Sequence, residues 1–244
     1  MKLYDDLIAK TEEALKECKT TRYALDSVTP WRDAGENVLL LGKESAYELG
    51  AGGNGYCASL VTRDASFVRG NEIVVCGEDL PFMKKDAPFA RIAVALTESI
   101  DDERNSDAAY KSVKSIDFVK YHVFPEGYML RISSEGNREQ VRVGKRALRD
   151  GINFASVGAL YANRYLESRD VKAIKLIFVT DGKAVAALKK VAEESRRRTA
   201  ALNKILQNVM LDCSVCALKP VCDEVDELKA LHFGRNAQSL GEKK

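Results

Sequence analysis

With 244 residues and 45% hydrophobic content, the chain is long enough to bury a core without disulfide staples. Its 38 basic and 36 acidic residues leave a net charge of +2, which gives no support to a nucleic-acid partner or to attraction toward a membrane surface. No apolar run reaches the length of a membrane span, and acidic residues stand where a signal peptide would carry its apolar stretch, so the expectation is a cytoplasmic protein with no membrane partner.

In chain order, Leu3, Leu7, Ile8, Leu15 and Cys18 recur at helical spacing behind Asp5 and Asp6, which predicts an amphipathic first helix. The glycine-rich stretch from Thr29 to Asn54 predicts turns with one short strand at Val38 to Leu41. Glu72 to Cys76 and Ala90 to Leu96 read as buried strands separated by a loop through Pro81 and Pro88. Ser106 and Asp107 offer caps for a helix carrying Tyr110, Val113, Ile116 and Val119.

A strand at Tyr128 to Ile132, a Gly136-Asn137 turn and a helical region from Arg138 to Glu167 follow. The run KAIKLIFVT, Lys172 to Thr180, predicts another strand, and Lys183 to about Gln207 another helix. Strands alternating with helices argue for an α/β fold with a mixed, mostly parallel sheet flanked by helices, followed by a C-terminal metal-binding loop and short helix. The expected division is an α/β domain over 1–211 and a Cys-rich segment over 212–244.

Three of the six cysteines crowd into ten residues of LDCSVCALKPVCDEVDELKALHFG, which reads as thiolates used as metal ligands in a reducing compartment. Cys213 and Cys216 form a CxxC pair, a spacing that lets two sulfurs share one centre, and Cys222 returns after Pro220. Asp223 is placed to cap a helix, Asp223 to His232, that brings His232 toward the same centre. A Cys3His set fits tetrahedral zinc as well as an iron-sulfur cube, and spacing leaves both open. A fourth position left open, with His232 as a core residue, is the competing reading.

Several of these pieces occur together in one family. Tyr47-Glu48-Leu49 with Gly52-Gly53-Asn54, Ile73-Val74-Val75 before Gly77, Asp117-Phe118, Leu130-Arg131-Ile132-Ser133 and Ile177-Phe178-Val179-Thr180-Asp181 come in that order. Over roughly Ala46 to His232 the chain resembles the middle domain and cluster loop of acetyl-CoA synthase, the nickel subunit of the carbon monoxide dehydrogenase complex. The resemblance implies a 4Fe-4S cluster on Cys213, Cys216 and Cys222, with His232 at about the spacing of the family's fourth cysteine. It also implies a corrinoid iron-sulfur protein or another redox protein as partner, and coenzyme A as a candidate ligand.

The gap before Cys222 is shorter than the family's, and no Cys-Gly-Cys is present, so dinickel chemistry is not carried over. The expected function is an electron-transfer or accessory role in anaerobic acetyl-CoA or corrinoid-linked one-carbon metabolism. The alternatives are a zinc-clipped interaction module and an acyl- or CoA-binding enzyme with an open iron site. Homodimerisation to complete a coordination shell is compatible with the sequence.

The remaining motifs read more plainly. Arg196, Arg197 and Arg198 are candidates for phosphate recognition, although three consecutive helical residues span most of a helix's circumference and cannot form one stripe. Arg131 reads as a surface charge. The Gly52-Gly53-Asn54-Gly55 stretch lacks the Lys-Ser/Thr of a phosphate loop and reads as a structural turn. Cys18 and Cys76 are expected as core residues and Cys57 as isolated, while His122 lacks a partner for acid-base work.

Overall fold

The computed structural model describes residues 3–40, 44–98, 106–133 and 135–206. The segment 212–244, with Cys213, Cys216, Cys222, His232 and the expected helix Asp223 to His232, lies outside the described residues. No helix among the described residues is long and apolar enough to cross a membrane.

Helix α1 (Asp5–Leu15) opens with Asp5 and Asp6 in its first turn, where the helix dipole favours carboxylates, and buries Leu7, Ile8 and Thr11. Strands β1 (Thr20–Ala24), β2 (Ala46–Leu49), β3 (Gly55–Thr62), β4 (Glu72–Cys76) and β5 (Phe89–Thr97) follow. Then come α2 (Ser106–Phe118), a 3-10 turn at Val119–Tyr121, the hairpin β6 (Tyr128–Ser133) and β7 (Arg138–Gly144), and α3 (Lys145–Arg149). Helix α4 (Phe154–Leu166), β8 (Val171–Val179) and α5 (Gly182–Leu206) complete the described fold.

One sheet orders these strands β1-β4-β8-β5-β3-β7-β2, with β6 on β7. The expected α/β class, a mixed sheet flanked by helices, is what forms. Within that sheet the balance is reversed from the expected mostly parallel one: β3 with β5 and β4 with β8 run parallel, and the other five pairings are antiparallel. The reason lies in β8, which inserts between β4 and β5, parallel to the first and antiparallel to the second. Strands β5 and β8 are buried along nearly their whole length, as central strands covered on both faces must be.

The two faces are assigned by alternation along β8. Phe178 stacks on Phe154 of α4 at 4.8 Å between ring centroids, while Lys175, on the opposite face, bonds Glu12 of α1 at 3.1 Å. Helix α4 is fixed by an Asn153–Ser156 capping box, and at Gly158 an added Cβ would stand 2.8 Å from Ile73 of β4. Helices α1 and α5 cover the other face, joined where Arg198 donates to the Asp6 carboxylate and to the Leu3 carbonyl at 2.7 Å.

Three local expectations are corrected. Residues 38–40 are irregular, with Leu39 66% exposed: the segment lies beside β6, where the Asn37 side chain bonds the Leu130 backbone in place of a strand ladder. Arg138 to Gly144, expected as helix, is β7: its two-residue alternation buries Glu139, Val141 and Val143 and turns Arg138, Gln140 and Arg142 the other way. Cys18 and Cys76 are not merely core residues; they form a disulfide joining the segment after α1 to the end of β4. Pairing of Thr20 with Cys76 at the start of β1 is what carries Cys18 to its partner.

Candidate functional site

The sequence-derived ligands Cys213, Cys216, Cys222 and His232 lie outside the described residues, so the structure neither gathers nor separates them. Among the described residues no group of three or more His, Cys, Asp or Glu side chains is placed to hold a metal ion. Cys18 and Cys76 are bonded to each other, and Cys57 is buried, its thiol pushed up to about 12 by burial and by the nearby Glu139 charge.

A different site emerges at the open edge of the sheet. Strand β3 pairs with β7 only at Tyr56 and Arg138, so beyond Tyr56 its outer edge has no strand partner among the described residues. An uncovered edge invites association with other strands, and here α2 and α5 pack against β3 instead. They leave a cleft of about 420 Å³ between helix and edge, within the range of small-molecule sites.

Lys120 forms the floor of this cleft. Its side chain is 3% exposed and its ammonium donates to Asp117 Oδ1 at 2.8 Å, 5.4 Å from the Tyr121 ring centre. Burial by itself would lower its pKa, but the neighbouring Cys57 and Asp117 outweigh that and hold it above the ordinary lysine value, so Lys120 stays a cation. Tyr110, Val113 and Tyr121 add apolar and aromatic wall, and Ser59 contributes a hydroxyl from β3. Such a site can hold and orient an anion; among the described residues that line it, no nucleophile is paired with a base.

The three consecutive arginines separate as helix geometry requires. Arg196 lines the cleft, Arg197 is exposed beside Glu194, and Arg198 is sealed against Asp6 and Glu194. Arg131 lies with Arg138 and Gly53 along a separate groove of about 380 Å³ on the outer face of the β6–β7 hairpin. The glycine stretch beside it is a turn, with Gly50, Gly52 and Gly53 at positive φ. Gly55 is required by close approach, since an added Cβ would lie 1.9 Å from the Glu139 carbonyl oxygen.

The sequence matches no protein-family model and no curated protein.

The sequence assigned no binding role to Lys114, Asp117 or Lys120. The signal was present in α2, where Tyr110, Lys114 and Asp117 follow one another at four- and three-residue steps and so share a face. The rest of the cleft comes from β3 and α5, which no local pattern connects to α2.

Proposed function

We propose that this chain is an iron-sulfur protein, in which an α/β domain carries a 4Fe-4S cluster held by Cys213, Cys216 and Cys222 with His232 as the fourth ligand. The observation that carries the reading is the concentration of three thiols in ten residues, with a CxxC pair among them. The domain's other cysteines support it by their commitments, since two are bonded to each other and the third is sealed in the core. The donor set of three thiolates and one imidazole suits such a cluster, whose bound form supplies a one-electron redox couple.

Covalent geometry ties this segment to the domain. Cys213 follows Leu206, the last described residue of α5, by seven residues, so its Cα can be no more than roughly 25 Å from that of Leu206. A cluster there is suited to exchanging electrons with a docked partner, and the family resemblance points to a corrinoid iron-sulfur protein or another redox protein in anaerobic one-carbon metabolism. We place the protein in the cytoplasm on the same reading, where thiolate ligands persist; the Cys18–Cys76 bond speaks against a strongly reducing compartment.

Spectroscopy of variants tests the ligand set. Cys213→Ser, Cys216→Ser and Cys222→Ser are each expected to abolish the sulfur-to-iron absorption of the anaerobically prepared protein. His232→Ala is expected to retain a cluster of altered spectrum and lowered stability. Spectra unchanged by the cysteine substitutions would overturn the proposal.

A further inference from the structure

We propose that the cleft at the open edge of β3 is a binding site for a small organic carboxylate with a flat apolar body, such as an arylacetate. This does not rest on the cluster reading, because every residue it uses belongs to the α/β domain.

Charge sets the sign of the ligand. Lys120 is neutralised by Asp117, whereas Lys114 and Arg196, which also line the cleft, enter no ion pair among the described residues. Among the described residues the cleft therefore keeps two cations in surplus, and the planar guanidinium of Arg196 matches a carboxylate through two parallel hydrogen bonds. The Asp117 carboxylate beside Lys120 disfavours a second negative charge at the floor, which argues for a monoanion over a phosphate dianion.

Shape and surface set the rest. Tyr110, Val113 and Tyr121 offer apolar contact to the ligand body. A volume of about 420 Å³ accommodates one ring and its acid group without a larger cofactor. The Lys120–Asp117 pair at the floor is already made, so the ligand's acid group meets Lys114 and Arg196 without breaking it.

Titration calorimetry on the full chain tests this with three probes: phenylacetate, its neutral amide phenylacetamide, and inorganic phosphate. Phenylacetate is expected to bind at least about tenfold more tightly than either of the others. Arg196→Gln is expected to weaken it about tenfold, while Arg197→Gln, one residue along and facing Glu194, leaves it unchanged. Circular dichroism melting of both variants checks that they fold. Equal binding of acid and amide, phosphate binding as tight as phenylacetate, equal effects of the two arginine variants, or no phenylacetate binding at millimolar concentration would each overturn the proposal.

Discussion

Arg91 and Glu139 meet across strand β3 in a two-point ion pair, Nε to Oε1 at 2.8 Å and Nη2 to Oε2 at 2.6 Å, with side chains 1% and 0% exposed. The Arg91 guanidinium also lies over the Tyr161 ring, 4.7 Å from its centre, and its remaining nitrogen, Nη1, has no hydrogen-bond partner among the described residues. Burial would lower the Arg91 pKa, but the Glu139 charge and hydrogen bonds raise it well above the usual value. The pair thus links β5 to β7 over the point where β3 and β7 diverge.

Removing one partner strands the other charge in the core. Glu139→Gln is expected to destabilise the fold by about 3–5 kcal/mol, and the double variant Arg91→Met with Glu139→Leu by less than that single change. Urea unfolding of the three proteins measures this. A Glu139→Gln protein as stable as the parent would show that the pair does not hold the strands together.

Backbone approach gives a second prediction. Gly55→Ala places a methyl group 1.9 Å from the Glu139 carbonyl, so β3 and β7 must separate, at a cost of about 3 kcal/mol or more. Gly70→Ala meets nothing within 4 Å and is expected to change stability by less than about 0.5 kcal/mol. Thermal melts of the two variants compare them directly; equal melting temperatures would contradict the packing described.

Asp79 supplies a pH-dependent test. Its Oδ1 accepts from the Leu80 N–H at 2.6 Å and from the Phe154 N–H of α4 at 2.8 Å. Burial nevertheless outweighs those bonds and raises its pKa above the ordinary 3.8. The folded protein therefore holds this proton to higher pH than the unfolded chain does, and ionisation costs stability as pH rises through and above 3.8. Asp79→Asn keeps an acceptor oxygen and removes the ionisation, so its stability relative to the parent should improve between about pH 3 and pH 7. Urea midpoints across that range check the sign, and a relative loss toward neutral pH would contradict it.

The sequence made much of the frame legible. Glu72 to Cys76, Ala90 to Leu96, Tyr128 to Ile132 and KAIKLIFVT are short apolar runs bounded by turn residues, too short for a buried helix, and they form β4, β5, β6 and β8 at nearly the expected bounds. Strand β3 was hidden because GYCASLVT begins at a glycine turn and is buried on both faces, which erases the two-residue alternation. The Arg91–Glu139 pair spans 48 residues and the Cys18–Cys76 bridge 58, distances at which no local spacing rule operates. The edge cleft was half legible, through the polar face of α2, and its other walls depend on where β3 parts from β7.

Cysteine reactivity follows from these placements. In air-oxidised folded protein, Cys18 and Cys76 should resist alkylation because they are bonded, and Cys57 should react only after unfolding because it is buried and its thiol is pushed up to about 12. Closing a loop of 58 residues is worth on the order of 4 kcal/mol by chain entropy, so reductant should lower the urea midpoint. Peptide mapping after alkylation reads the first expectation; labelling of Cys57 in the folded state would contradict the buried position.

The most direct test of the proposed function is iron, sulfide and zinc analysis of the full chain purified without oxygen. The proposal predicts about four iron and four inorganic sulfide per chain, both lost when Cys213 and Cys216 are replaced by Ser. About one zinc with no sulfide, or no metal at all, would contradict it.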